Sequence, residues 1–382
     1  MKISRAHIEI TGDCNLQCSY CYNSSFNNKS NNLPKKLLID FIEQVNVCDP
    51  EVFTISGGEP LMRKDLEEIL FHCKSDIILF TNTSLLTKER IDSLIKIPNL
   101  KGFRISLDGF SSHNKYRSPS NYEDVLTWID YISKNTDKDV GIATMLSKDG
   151  LNDLELIYNF LKERRIKHWR IDIPFFSGRY KDEKVFFKQA DYLDIVLAIK
   201  DIIIKFKKDN PTFELGVASI YKSDMDYSSI FKFDLSSHPC EYNLEAIGLR
   251  PNGDLSFCPS LNFAFGNIKN ADNYIELIEK IRKENNFFKI KIKEIKDCLD
   301  CRYLKICGSG CRSDAIYLKG DLMKRDVVNC SLLPLIEKHI LPILDERERV
   351  GFNSLLDKEG FLPKGEKNID RYIEKKNVEK NK

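Results

Sequence analysis

Neither sign of charge is in excess. Lys and Arg number 59 against 57 Asp and Glu, a net charge of +2 at pH 7. That balance removes the electrostatic case for a nucleic-acid partner. No apolar run reaches about 18 residues, so no segment is expected to span a membrane. The N-terminus, Met1-Lys2-Ile3-Ser4-Arg5, passes straight into a strand-like stretch. It lacks an apolar core with a small-residue cleavage site, so a cytoplasmic location is expected. No repeat of about 20–50 residues stands out. What remains is ordinary for a soluble globular chain: 382 residues, 42 % hydrophobic and 30 % charged, enough for two domains.

The unusual count is that of cysteine, 12 in all. In a secreted protein that number would point to disulfides. In a reducing cytosol, clustered cysteines bind metal or do redox chemistry, and their spacing decides which.

The first half alternates strand-like and helix-like segments. Strands are expected at residues 6–11, 52–56, 76–82, 102–107, 140–146 and 168–174, each rich in β-branched or aromatic residues. Helices are expected at 34–47, 64–73, 88–97, 122–134 and 152–165, with a longer one over 190–207. Pro34 suits a first helical turn and Thr87 an N-cap. Successive β-then-α units imply a parallel sheet with right-handed crossovers. Six units fall short of the eight of a closed barrel, so the expected α/β fold is a partial (β/α)6 barrel. Its chemistry should gather at the carboxyl ends of the strands.

The expected divisions are a barrel over 1–210, a linker over 211–237, and a cysteine-rich domain over 238–348 closed by a helix at 332–344. A tail over 349–382 is expected to be partly disordered, its lysine-rich stretch over 363–382 frayed. Cys48 and Cys73 fall on helix patterns outside any motif and read as buried small apolar residues.

After the first strand comes Gly12-Asp13-Cys14-Asn15-Leu16-Gln17-Cys18-Ser19-Tyr20-Cys21-Tyr22, a C-x₃-C-x₂-C spacing. Three thiolates on one loop can hold three irons of a [4Fe–4S] cube and leave the fourth open. The alternative is zinc, which wants four ligands. The nearest further donor, His7, lies inside the preceding strand.

Here the chain resembles the radical S-adenosylmethionine (SAM) superfamily over residues 6–174. Ser56-Gly57-Gly58-Glu59-Pro60 looks like that family's G-G-E motif, and Thr81-Asn82-Thr83 like its T-N pair. Ser106-Leu107-Asp108-Gly109 with His113-Asn114-Lys115-Tyr116-Arg117 resembles an S-[LIV]-D-G…H-D-x-x-R element, with Asn114 where Asp is common. The resemblance implies that Cys14, Cys18 and Cys21 ligate the SAM-binding cluster. It implies SAM contacts from Tyr20, Gly57, Gly58, Glu59, Asn82, Ser106 and Arg117. His113 reads as a turn-stabilising residue.

A second set follows: Cys240, then Gly253-x₄-Cys258, then Cys298-x₂-Cys301-x₅-Cys307-x₃-Cys311, then Cys330. This order resembles the SPASM-type extension, which implies two auxiliary [4Fe–4S] clusters. By that pattern Cys298, Cys301, Cys307 and Cys330 fill one. Cys240, Cys258 and Cys311 hold the other, with Asp234 standing where some relatives carry an extra cysteine.

Members of this architecture mostly oxidise peptides, and the auxiliary clusters offer an exit for the leftover electron. The expected function is an oxidative maturase of a ribosomally made peptide, fed by a reductant such as flavodoxin or ferredoxin. Only 13 residues precede Cys14, so leader recognition would need a separate protein or another surface. The alternatives are a cofactor-pathway or small-molecule oxidation and a sulfatase-maturing enzyme. The latter is disfavoured because Pro259 stands where that group carries an Asp. A non-catalytic electron carrier is disfavoured by the open three-cysteine site. No catalytic base can be named; Asp172 is a polar candidate at the barrel mouth.

Overall fold

The computed structural model describes residues 2–27, 32–182, 187–218, 220–223, 234–240 and 244–356. The chain divides into two compact units. One comprises residues 1–191, 201–224 and 242–285, the other 192–200, 225–241 and 286–382.

The first unit holds an eleven-stranded sheet, ordered β11-β10-β9-β1-β2-β3-β4-β5-β6-β7-β8. The strands are β1 Arg5–Glu9, β2 Val52–Ser56, β3 Asp76–Thr81, β4 Leu100–Ser106, β5 Asp139–Met145, β6 His168–Asp172, β7 Glu214–Val217, β8 Tyr221–Lys222, β9 Ala246–Leu249, β10 Asp254–Ser256 and β11 Gly266–Asn267. From β9 through β1 to β7 every pairing is parallel. Short antiparallel strands finish both edges, and the sheet stays open. The expected α/β partial barrel is therefore present, and its six expected strands match β1–β6.

Helices alternate with the strands: α1 Lys35–Asn46, α2 Leu66–Phe71, α3 Lys88–Leu94, α4 Ser111–Tyr116, α5 Tyr122–Asn135 and α6 Leu154–Lys162. In α1 the buried residues Leu38, Phe41, Ile42 and Val45 recur at helical spacing, so one stripe faces the sheet. Thr87 caps α3 by accepting from Arg90 N. Next come α7 Tyr192–Asp209 and α8 Tyr274–Glu284.

Strand alternation gives the two sheet faces different jobs. Ala6, Ile8, Phe53, Ile55, Phe103 and Trp169 are at most 1 % exposed and form an apolar layer. His7, Ser56, Phe80, Ser106, Met145 and Asp172 occupy the opposite register and line a cavity.

The boundaries expected at 210 and 238 do not hold. β7 and β8 extend the sheet beyond β6, and β9–β11 cover the β1 edge. Paired backbone on both sides of the six-stranded centre removes edges that would otherwise be open. Residues 224–233 of the expected linker lie outside the described residues.

The second unit has α9 Leu304–Cys307, α10 Arg312–Lys319, α11 Val327–His339 and α12 Glu346–Leu355. Leu235, Ile292, Ile295, Cys298, Leu299 and Leu304 form its small core. The closing helix starts earlier than expected because Asp326 caps α11, accepting from Val328 N and Asn329 N. The start of the expected tail is helical, since Asp345 and Glu348 make a capping box at the head of α12. Residues 357–382 lie outside the described residues. Cys73 is buried as expected, whereas Cys48 is half-buried, in the turn after α1.

Trp169 anchors the apolar layer. Its Nε1 donates to Thr144 Oγ1 at 2.9 Å, and its ring meets those of Tyr158 and Phe213. Trp169→Ala is expected to lower stability in urea melts by about 3–5 kcal/mol, and Trp169→Phe by less.

Candidate active site at the carboxyl ends of the strands

The three-cysteine loop is fixed by backbone contacts. Gly58 N donates to Thr11 O at 2.7 Å and Glu59 N to Asp13 O at 2.8 Å. A Cβ on Gly57 would fall 2.4 Å from Thr11 O, and one on Gly58 only 2.0 Å from Asp13 O. Glycine at both positions is therefore a condition of this approach. From other sides, Gln17 N donates to Ser118 O, Ser19 N to Tyr116 O and Arg179 N to Cys21 O.

Cys14, Cys18 and Cys21 line one cavity of about 350 Å³ together with Gly57, Gly58 and Glu59. All three thiols are half-buried and outside any disulfide. Burial pushes Cys14 up to about 11 and Cys18 up to about 12. Tyr20 also lines the cavity, packed with Tyr116 and Tyr180.

Glu59 is 1 % exposed. Its Oε1 accepts from Leu61 N and Thr81 Oγ1, and its Oε2 from Asn82 N at 2.7 Å. Burial raises its carboxyl to about 7 even against those bonds. The Asn82 side chain accepts from Ser84 N and reaches Asn15 Oδ1 and Cys14 Sγ. Ser106 and Arg117 line the same cavity, and Arg117 is closed in an ion pair with Asp108. His113 is buried, accepts from Asp108 N and lies 2.9 Å from Ser120 Oγ, so it braces the turn. Asn114 accepts from Tyr122 N, which braces the start of α5.

Several residues of this site were not singled out from sequence. Glu9 is buried at the end of β1, accepting from Tyr22 Oη at 3.2 Å and Asn23 Nδ2 at 2.5 Å, with Arg250 Nη1 at 3.8 Å. The signal was available: His7 and Glu9 alternate with apolar Ala6, Ile8 and Ile10, so they face the strand interior. Arg250 also donates to the carbonyls of Pro259 and Leu261, tying the segment after Cys258 beside Asn23. Pro259 lines the cavity. Asp172 lies there too, paired with Arg170 at 2.7 Å.

In the second unit, Cys298, Cys301, Cys307 and Cys330 lie near enough that Cys307 feels the charge of the other three. Burial raises Cys298 to about 11 and Cys307 well above the ordinary thiol value. Asp326 accepts from Cys311 N at 2.8 Å. Gly310, with φ +75°, lets that loop pass, since a Cβ there would strike Asp326. The buried Arg312 donates to the carbonyls of Leu322 and Lys324 and holds the following loop. Asp234 is exposed and turned onto Ser236. Cys258 belongs to the first unit, Cys240 and Cys311 to the second.

Residues 8–161 match the Radical SAM superfamily. A GTP 3',8-cyclase of Campylobacter jejuni (strain RM1221) is 30 % identical over 303 residues, 75 % of this chain and 92 % of that one. The chain belongs to the radical SAM superfamily. An AdoMet-dependent heme synthase of Methanosarcina barkeri is 26 % identical over 334 residues, 83 % of this chain and 93 % of that one. Among solved structures, Streptococcus suis SuiB bound to S-adenosylmethionine aligns with TM-score 0.68 at 18 % identity, covering 86 % of this chain and 77 % of SuiB. Native anSMEcpe with bound AdoMet aligns with TM-score 0.70 at 17 % identity, covering 92 % and 99 %. These two likenesses speak to the fold.

Membership in the radical SAM superfamily implies a SAM-binding [4Fe–4S] cluster, and the cavity fits one. Its thiols come from a single loop and open on one space beside a buried carboxyl. Among the described residues no three His, Cys, Asp or Glu side chains are grouped closely enough to hold a single metal ion.

Proposed function

We propose that this radical SAM enzyme carries out a net oxidation of a peptide, with Cys14, Cys18 and Cys21 ligating the SAM-binding cluster. We assign Cys298, Cys301, Cys307 and Cys330 to an auxiliary [4Fe–4S] cluster. The observation that carries the reading is the proximity of those four thiols in the second unit, in keeping with the ligand division that the resemblance to the SPASM-type extension implies. For a further auxiliary cluster on Cys240, Cys258 and Cys311 the support is the spacing alone. Bound together, the first cluster and SAM supply a carbon radical that removes hydrogen from a substrate. An auxiliary cluster held by Cys298, Cys301, Cys307 and Cys330 would offer an acceptor for the remaining electron.

The cavity supports a peptide side chain as the reacting group. About 350 Å³ is at the small end of ligand sites, and SAM takes a share of it. SuiB has been solved with precursor peptide SuiA, and anSMEcpe with Cp18Cys peptide. A second reading is a small-molecule or cofactor-pathway oxidation, favoured by the sequence relatives, a GTP 3',8-cyclase and a heme synthase. No lysine lines the cavity among the described residues; of its arginines, Arg117 and Arg170 are paired with Asp108 and Asp172, and Arg179 lines it as well. Leader recognition by a separate protein and electron delivery by a flavodoxin or ferredoxin belong to the same proposal.

In this reading Glu59 meets the ammonium of SAM, as in the family's motif. Its carboxyl holds a proton below about 7, and an arriving cation favours the ionised form. SAM affinity should therefore fall as pH drops through about 7, approaching tenfold per unit, and level off above it. Glu59→Gln should bind more weakly with that pH dependence gone. Isothermal titration of the reconstituted protein between pH 6 and 8.5, values set on either side of the Glu59 transition, measures both.

The proposal as a whole is tested by iron analysis and mass spectrometry. Anaerobic reconstitution should give about twelve irons per chain, falling to about eight in the Cys14/Cys18/Cys21→Ala variant. With SAM and a reductant, a short peptide encoded beside the enzyme should lose two hydrogens. About four irons in the wild type would remove the auxiliary clusters. Oxidation of a small molecule with no peptide turned over would select the second reading.

A further inference from the structure

The family resemblance gives Arg117 a place beside SAM, but its side chain is already committed elsewhere. Nε donates to Asp108 Oδ2 at 2.6 Å and Nη2 to Asp108 Oδ1 at 3.1 Å, so the planar fork is closed on one carboxylate. The pair is nearly sealed from solvent, with side-chain exposures of 12 % and 1 %. Asp108 is itself fixed from β5, because Met145 N donates to its Oδ1 at 2.9 Å. The nitrogen left over, Nη1, reaches Cys18 Sγ at 4.0 Å. The guanidinium lies over the Tyr20 ring, 5.3 Å from its centre, which walls off that face. At Cys14 the hydrogen-bond donors among the described residues, Leu16 N at 3.4 Å and Asn82 Nδ2 at 4.0 Å, are neutral.

We propose that Arg117 acts on the SAM-cleaving cluster rather than on SAM, holding a fixed positive charge against the Cys18 thiolate and thereby raising the cluster's reduction potential. Asp108 has two effects. It aims the guanidinium, and its own negative charge moderates the effect. An arginine stays ionised throughout the working pH range, so this charge is permanent. A cation beside a cluster ligand favours the form with one more electron, and a nearby carboxylate opposes it. The electron comes from the external reductant. The arrangement therefore sets how readily that one-electron reduction occurs before SAM is cleaved. The proposal rests on Cys18 being a cluster ligand.

The test is a redox titration of the reconstituted full chain without SAM, followed by electron paramagnetic resonance. The signal followed is the one that Cys18→Ala abolishes. In Arg117→Gln, at a solution potential well above the midpoint, the reduced fraction should fall about tenfold, equivalent to 59 mV for a one-electron couple. Asp108→Asn should move the midpoint the opposite way, and Arg117→Lys should fall between wild type and Arg117→Gln. SAM affinity in Arg117→Gln should change far less than the reduced fraction. Opposite shifts are what a general loosening of the site would not produce.

Unchanged midpoints with lost SAM binding in Arg117→Gln would make Arg117 a SAM contact and overturn the proposal. Shifts of the same sign in Arg117→Gln and Asp108→Asn would overturn it too. Should Arg117→Gln fail to assemble a cluster, Asp108→Asn decides: a raised midpoint supports the proposal, and an unchanged or lowered one overturns it. If Cys18→Ala abolishes no signal, the assignment of the loop itself fails, which is a separate result.

Discussion

The site depends on one close approach, that of Gly57-Gly58 at the end of β2 to the backbone of Thr11–Asp13 at the end of β1. Two backbone hydrogen bonds are made there, and neither glycine has room for a Cβ. Because the strands are parallel neighbours with Glu9 opposite Ser56, both loops leave the sheet at the same level. The thiol loop and the Glu59 carboxyl are thus placed together by backbone geometry. Glu59 is then held by three donors from the β2 and β3 ends. A side chain at position 58 would push on Asp13 and Cys14, the start of the ligand loop.

The sheet sorts what surrounds this point. One register packs under helices and is apolar; the other presents polar and aromatic side chains to the cavity. Charges on the inner register are mostly paired. Arg117 meets Asp108, Arg170 meets Asp172, and Glu9 is bonded by Tyr22 and Asn23. Among the cavity's carboxyls, Glu59 is the one that burial pushes up to about 7.

Much of the first unit was legible because strand and helix periods repeat strongly from residue 6 to residue 174. Val52–Ser56 carries alternating buried positions that announce a strand, and Thr87 announces the start of α3. The outer strands were not legible, for a physical reason. Glu214–Val217, Ala246–Leu249 and the two-residue β8 and β11 are too short to show a period. They are specified by the edges they cover, and β9 pairs with β1 across more than two hundred residues of chain. Glu9 escaped notice because a single carboxylate in a strand reads as a solvent-facing residue until its alternation is weighed. Arg117 lines the cavity, but its ion pair with Asp108 is a tertiary fact that motif spacing does not carry.

The central claim is that three thiols of one loop hold a cluster with an iron free to take SAM. Mössbauer spectroscopy of iron-57-reconstituted protein tests it most directly. The account predicts that adding SAM alters the signature of a single iron site, and that Cys18→Ala abolishes this response while iron in the second unit remains. Spectra unchanged by SAM in the wild type would contradict it, because a cluster with every iron already ligated by protein leaves SAM nothing to bind.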